Sequence, residues 1–96
     1  MRHVYIVTYD ISDRRRLRRV YRTMRGFGRH LQLSVFLCDL TPTARIQMHA
    51  ALEAEIERDY DQVLIVDLGA TDTRPIKQIE ALGRPMPQHE RRALIV

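Results

Sequence analysis

The sequence predicts a small α+β domain, because segments typical of strands alternate with segments typical of amphipathic helices. Residues 2–9 are rich in β-branched and aromatic side chains, which favour a strand. Residues 14–25 carry four apolar side chains, from Leu17 to Met24, on one face of a helix. With 96 residues, 45% of them hydrophobic and 29% charged, the chain has the size and composition of one globular domain.

The first half of the chain is predicted to form a strand, a helix and a second region of β structure. Ser12 or Asp13 is predicted to cap the first helix, because each offers a side-chain oxygen to free backbone N–H groups. Glycines within residues 26–28 are predicted to end that helix. Residues 31–40 alternate between two faces as strands do, and they form either one bent strand or two strands divided near Ser34.

The second half is predicted to contain a helix, a strand and a further short helix. Thr41 followed by Pro42 is typical of a helix start, and the pattern continues to about Arg58. Residues 63–68, which are apolar except for Asp67, come directly before Gly69, and this pattern predicts a strand that ends there. Residues 75–82 are compatible with a short helix.

Two strands within residues 31–40 would complete the ferredoxin-like βαββαβ plan. We therefore predict a ferredoxin-like domain over residues 1–82 and a C-terminal extension over residues 83–96. The apolar residues 93–96 have no evident partner in so small a sheet, so we expect them to pair as a strand with a second copy of the chain. The sequence thus predicts a homodimer with exchanged C-terminal strands.

Composition also indicates where the protein works. No apolar run approaches the ~20 residues that a helix needs to cross a bilayer, and polar residues interrupt the N-terminal segment where a secretory signal would be apolar. Cys38 is the only cysteine, so the chain has no internal disulfide, as is usual in a reducing compartment. We therefore expect a cytoplasmic protein with no membrane partner.

Basic residues are concentrated in the first helix. The chain has 16 basic and 12 acidic residues, and seven arginines fall within residues 14–25. Like charges three and four positions apart repel each other along a helix, and a bound polyanion would relieve that repulsion. The alternative is an ordinary solvated helix face. We predict that the helix binds nucleic acid, DNA or RNA, through Arg14, Arg15, Arg16, Arg18, Arg19 and Arg22.

Asp10 is the candidate for chemistry, because it lies where the first strand is predicted to end. A carboxylate at this place can simply cap the turn. It can also bind magnesium, or manganese in its place, since such an ion needs only one or two carboxylates besides water and substrate phosphate. If a two-fold axis passed near Asp10, a dimer would provide a pair of carboxylates for metal-assisted hydrolysis of a phosphodiester.

Several segments together resemble one known family. Tyr9-Asp10-Ile11 ends the first strand, and an arginine-rich helix follows it. Gln32-Leu33-Ser34-Val35-Phe36 comes after a glycine loop, and Leu40-Thr41-Pro42 opens the second helix. In order and spacing these segments are similar to those of the small CRISPR adaptation proteins known as CRISPR-associated endoribonuclease 2, over most of the chain.

The resemblance implies a ferredoxin-like homodimer with a magnesium site at paired Asp10 residues, and metal-dependent cleavage of RNA or DNA. It implies Tyr9 as a second catalytic residue, and Arg16, Arg18 and Arg19 at phosphate-binding positions. By the same resemblance, Ser34 and Phe36 shape the site. It also implies a partner, the larger CRISPR integrase subunit, whose dimers this protein would bridge while spacer DNA lies across its basic helices.

Three functions remain open at this point. The protein is a metal-dependent nuclease that uses Asp10, or a DNA-binding scaffold in spacer acquisition for which that chemistry is dispensable. The third alternative is a ribonuclease toxin of the virulence-associated D type, which shares the predicted fold.

Overall fold

The computed structural model describes residues 1–71 and 79–86. Within these residues the chain forms four strands and two helices in the order βαββαβ. They are β1 (His3–Asp10), α1 (Arg14–Arg25), β2 (Arg29–Gln32), β3 (Val35–Leu40), α2 (Pro42–Glu55) and β4 (Gln62–Ala70).

The four strands form one antiparallel sheet in the order β2-β3-β1-β4, which places β1 near its centre. Val7 of β1 lies opposite Phe36 of β3 and, on its other side, opposite Ile65 of β4. Both helices pack on the same face of this sheet, because Met24 of α1 and Met48 of α2 belong to one buried cluster with these strand residues. The predicted α+β, ferredoxin-like fold is therefore confirmed.

The region 31–40 contains two strands and a tight turn, which completes the βαββαβ plan. The turn is formed by Leu33 and Ser34, and Leu33 has a positive φ of 23° with 89% of its surface exposed. The ring nitrogen Nε2 of His30 lies 2.8 Å from the Leu33 carbonyl oxygen and bonds to it across the turn. The usual turn residues glycine and asparagine are absent here, which is why sequence patterns alone left one bent strand as an alternative.

Asp13, one of the two predicted caps, begins α1, and the predicted cap Thr41 begins α2. The Asp13 side chain accepts a hydrogen bond of 3.0 Å from the backbone N–H of Arg16, and the Thr41 hydroxyl accepts one of 3.1 Å from that of Ala44. Each cap satisfies an N–H group that has no partner inside the helix. The bond from Arg16 to Asp13 fixes where α1 begins relative to the end of β1.

The core lies between the helices and one face of the sheet. Phe36, Met24 and Met48 are its largest fully buried side chains. Gly28 is required by the close approach of its loop to β3, because an added Cβ would lie 2.5 Å from Cys38 Sγ and 2.6 Å from the Leu37 carbonyl oxygen.

The other face of the sheet is apolar and is only partly covered within the described residues. Val4 and Leu37 on this face are 3% and 4% exposed, whereas Leu64, Val66 and Leu68 of β4 are 45–52% exposed. Three large apolar side chains aligned on one strand form a contiguous apolar surface, which is typical of an interaction surface.

The ends of α2 and β4 lie a few residues away from their predicted positions. Helix α2 ends at Glu55 instead of about Arg58, because the backbone of Ile56 is extended and its side chain packs against the core. Strand β4 continues through Gly69 to Ala70, where Gly69 has a φ of 103° and the pairing with β1 is irregular. A glycine at such an irregularity lets a strand continue instead of ending it.

The predicted helix over residues 75–82 is not formed in its described part, residues 79–82. Leu82 is 91% exposed, so this segment lacks the tertiary packing that a short helix needs. Residues 75–78 and the predicted exchanged strand 93–96 lie outside the described residues, and the division at residue 82 stays a prediction. No helix in the described ranges has the length and apolar character needed to cross a membrane.

Candidate nucleic-acid interface and metal site

The end of β1 presents Tyr9 and Asp10 to opposite faces of the sheet, because successive strand residues alternate. Tyr9 is 6% exposed and belongs to the core beneath α1. Asp10 is exposed and pairs with the exposed Gln62 of β4. The two predicted catalytic side chains therefore lie on opposite faces of the sheet within one chain, and a catalytic role for Tyr9 stays a prediction.

Tyr9 is held by aromatic packing. Its ring stacks on Phe36 with 6.2 Å between centroids, and its backbone N–H donates a hydrogen bond of 3.1 Å to the Ser34 carbonyl oxygen. Burial, with a smaller contribution from nearby Tyr21, raises the pKa of Tyr9 to about 12. The phenol is therefore neutral at physiological pH, where it can donate a hydrogen bond but does not act as a base.

Asp10 is an available carboxylate at the open face. In the described part of the chain, no side chain or backbone group donates a hydrogen bond to it or forms an ion pair with it. Its oxygens are the hard ligands that magnesium and manganese prefer. Among the described residues no group of three or more metal-ligating side chains is found, so Asp10 would need ligands from water, substrate or a second copy.

The arginines of α1 divide into rows along the helix. Arg15, Arg19 and Arg22 follow the spacing of one helix face, which points away from the core, and all three are exposed. Arg14 and Arg18 form a neighbouring row, and both are exposed as well. Five of the six predicted nucleic-acid-binding arginines are thus accessible to a phosphate backbone.

Arg16 differs from the other arginines, because it is paired inside the protein. Its Nε donates to Asp61 Oδ2 at 2.7 Å, and its Nη2 donates to Asp61 Oδ1 and to the Ser12 hydroxyl, both at 3.1 Å. The Asp61 side chain is fully inaccessible, and that of Arg16 is 22% exposed. Phosphate binding by Arg16 stays a prediction, but two of its guanidinium nitrogens are committed to Asp61.

Asp61 connects the start of α1 to the segment before β4. Besides Arg16, it accepts hydrogen bonds from the backbone N–H and hydroxyl of Ser12 and from the backbone N–H of Glu57. The guanidinium of Arg16 and these further donors hold the pKa of Asp61 well below its usual range. Sequence reasoning missed Asp61, because its partner lies 45 residues away and no local spacing connects them.

Ser34 and Phe36 both contact Tyr9, and their role in shaping a functional site stays a prediction. Phe36 is fully buried and contacts the rings of Tyr9, Tyr21 and His30. Ser34 provides the carbonyl oxygen that fixes the Tyr9 backbone. Both residues surround Tyr9 under α1, on the opposite side of the sheet from Asp10.

Comparison with known proteins identifies the family. The family model for CRISPR associated protein Cas2 matches residues 1–75. The chain is 44% identical over 94 residues to CRISPR-associated endoribonuclease Cas2 1 of Rhodospirillum rubrum, covering 98% of this chain and 91% of that protein. It is also 44% identical over 97 residues to CRISPR-associated endoribonuclease Cas2 of Geobacter sulfurreducens, covering all of both chains.

Solved structures agree with this result. The crystal structure of Streptococcus pyogenes Cas2 at pH 6.5 superposes with a TM-score of 0.74 at 29% identity, covering 83% of this chain and 99% of that one. The hypothetical protein TT1823 of Thermus thermophilus superposes with a TM-score of 0.76 at 26% identity, covering 94% and 100%. With the family match over residues 1–75 and full-length relatives at 44% identity, this chain belongs to the Cas2 family of CRISPR-associated proteins.

Proposed function

We propose that this protein acts in CRISPR adaptation as a nucleic-acid-binding homodimer, and that it cleaves phosphodiester bonds with magnesium at paired Asp10 residues. The observation that carries the proposal is the position of Asp10 on a partly exposed apolar sheet face, with no partner in the described part of its own chain. The matched relatives are named endoribonucleases, which favours RNA as the first substrate to test.

The apolar face supports the homodimer. Leu64, Val66 and Leu68 would be removed from water if a second copy packed against this face. Because β1 lies beside β4, Asp10 sits at the rim of the same face. A two-fold axis near this rim would bring the two carboxylates together, and their repulsion would favour a divalent cation between them.

Asp10 from each copy would hold magnesium, or manganese in its place, together with water and a substrate phosphate oxygen. When bound, the ion would activate water and stabilise the leaving oxygen. The arginines contribute binding, because Arg15, Arg19 and Arg22 offer an exposed cationic row to the sugar–phosphate backbone. Tyr9 is left out of the chemical step, since it lies on the other side of the sheet.

A scaffold role is the second part of the proposal. Binding to the larger CRISPR integrase subunit, with spacer DNA across the basic helices, is expected from the family and does not need cleavage at Asp10. The matched relatives and structures do not favour the alternative of a virulence-associated D-type toxin.

The test compares Asp10→Asn with Asp59→Asn, because both aspartates are exposed and only Asp10 lies on the open face. Cleavage of end-labelled RNA and DNA is measured with magnesium, and binding is measured in EDTA. We expect Asp10→Asn to abolish cleavage and keep binding, while Asp59→Asn keeps both. Cleavage that survives in a homogeneous Asp10→Asn preparation would contradict the proposed chemistry.

Spacer acquisition by the same variant separates the two roles. If Asp10→Asn supports acquisition while it has lost cleavage, the protein serves adaptation as a scaffold. If acquisition is lost although the variant still forms the dimer and binds DNA, the carboxylate is needed for adaptation itself.

A further inference from the structure

A groove of about 410 Å³ lies on the helix side of the sheet, between α1 and the turn that joins β2 to β3. Its apolar walls are Leu17, Tyr21 and Leu33, and Tyr9 also lines it. The volume is within the range of roughly 300–1,000 Å³ that is typical of small-molecule sites. The groove is separate from Asp10, which lies on the opposite face of the sheet.

The Tyr9 hydroxyl is a polar group without a partner in this groove. The residue is more than nine-tenths buried, and none of the described residues hydrogen-bonds its hydroxyl. The hydroxyl itself is not fully enclosed, because Arg29 Nε is the only side-chain polar atom of the described residues that is both buried and unpartnered. Since Tyr9 lines the groove, an acceptor on a bound molecule can reach this hydroxyl, and the phenol is neutral and able to donate.

The charge of the groove selects an anion. Arg14 and Arg18 also line it, and both are exposed. Arg25 continues the same helix face, with its guanidinium 5.9 Å from the centroid of the Tyr21 ring. In the helix itself, no acidic residue balances these cations.

An apolar aromatic wall, one hydroxyl donor and flanking arginines match the chemistry of a nucleotide. A base packs on aromatic and aliphatic side chains and accepts hydrogen bonds on its edge, and its phosphates bind arginine. A base paired in a duplex is stacked and cannot enter such a groove, whereas an unpaired base can.

We propose that this groove binds one unpaired nucleotide, whose base packs against Tyr21 and Leu33 and accepts a hydrogen bond from the Tyr9 hydroxyl. Arg14 and Arg18 bind the phosphates on either side of it. The inference rests on the proposed function in one respect only, that the protein binds nucleic acid. It assigns the helix side of the sheet a role in recognising unpaired positions.

The test measures binding by fluorescence anisotropy in EDTA, which prevents cleavage. The probes are a 20-base-pair duplex, the same duplex with one unpaired thymine, and the same duplex with an abasic residue at that position, each as DNA and, with uracil, as RNA. We expect the unpaired base to tighten binding on the order of tenfold, and the abasic residue to tighten it far less. The DNA and RNA arms show which backbone the groove prefers.

Two variants address the groove without disturbing the core. Tyr9→Phe removes only a hydroxyl that has no internal partner, and Tyr60→Phe is its control, because Tyr60 is exposed outside the groove. Leu33→Gly removes one wall at a position whose positive φ suits glycine. We expect Tyr9→Phe to lose roughly 3- to 10-fold of the affinity for the unpaired base, the effect of one hydrogen bond, and to bind the plain duplex unchanged.

The outcomes of this test distinguish failure of the groove proposal from failure of the proposed nucleic-acid binding. Equal affinity for all three probes, or equal tightening by the base and the abasic residue, would overturn the groove proposal while nucleic-acid binding stands. A preference for the unpaired base that survives in both Tyr9→Phe and Leu33→Gly would overturn it as well. If no probe binds, both proposals fail together.

Discussion

Replacing Asp61 with asparagine should destabilise the fold strongly, because Asp61 is a buried charge that holds three parts of the chain together. Its two oxygens accept five hydrogen bonds, from Arg16, Ser12 and the Glu57 backbone. Asparagine has the same shape but only one acceptor oxygen, and its NH₂ group would face donors. The Arg16 guanidinium would also lose its counter-charge.

The expected loss follows from burial. The Asp61 side chain is fully inaccessible and that of Arg16 is 22% exposed, so water cannot replace most of the lost bonds. Removing one partner of a buried ion pair costs about 3–5 kcal/mol of unfolding free energy. Because the asparagine oxygen can still accept some of the hydrogen bonds, we expect a loss near 3 kcal/mol, at the lower end of this range. For a domain of this size that loss lowers Tm by about 12–24 °C.

The effect should depend on pH in one direction. A carboxyl whose pKa is lowered in the folded state stabilises the fold above its unfolded pKa of about 4, and that stabilisation is lost as pH falls through the folded pKa. The pKa of Asp61 is lowered, chiefly by its hydrogen bond from Arg16. The difference in unfolding free energy between wild type and Asp61→Asn should therefore be constant from neutral pH down to about pH 5 and narrow below pH 4.

Thermal and urea unfolding at one fixed protein concentration measure this difference, because association with a second copy would otherwise shift the apparent stability. Asp59→Asn is the matched control, since Asp59 is exposed and two residues away, and it should stay within about 0.5 kcal/mol of wild type. An Asp61→Asn protein less than 1 kcal/mol below wild type, or a difference that widens in acid, would refute the reasoning.

Three further predictions test the surfaces and the core. The double change Arg15→Glu and Arg19→Glu should weaken nucleic-acid binding to all sequences alike in anisotropy titrations. It should also lower the slope of log affinity against log salt concentration by about one unit for each arginine, and unchanged binding would show that α1 is not part of the interface. Val66→Glu should weaken the dimer at least about tenfold by sedimentation, because a charge would be buried in an apolar contact, and an unaffected dimer would exclude this face as the contact. Gly28→Ala should cost about 1–3 kcal/mol in thermal unfolding, because its Cβ would lie 2.5 Å from Cys38 Sγ; a neutral effect would mean that the loop can move away.

The parts of the fold that depend on local signals could be predicted from the sequence. Ser12 or Asp13 was predicted to cap the first helix and Thr41 the second, and Asp13 and Thr41 do so, each through a hydrogen bond that spans three residues. Helix α1 was predicted over Arg14–Arg25 and is observed with those bounds. Interactions between residues close together in the sequence determine such features, so the sequence alone predicts them.

The features that could not be predicted depend on residues far apart or on unusual backbone. Leu33 forms a turn at positive φ, which few residue types other than glycine and asparagine adopt, so no turn signal marked it. Arg16 was grouped with the surface arginines, because no pattern near it in the sequence indicates an ion pair with the distant Asp61. Tyr9 and Asp10 lie on opposite faces because successive strand residues alternate. The family resemblance assigned both residues to one site, so this consequence of the alternation was not drawn from the sequence.

The alternation of β1 restricts how this protein can change over evolutionary time. Insertion or deletion of a single residue inside β1 would reverse the facing of the strand residues on one side of it, so that a shifted C-terminal part would turn the phenol of Tyr9 outward and drive the carboxylate of Asp10 into the hydrophobic interior. Length variation among descendants should therefore avoid this strand and accumulate in the connecting loops.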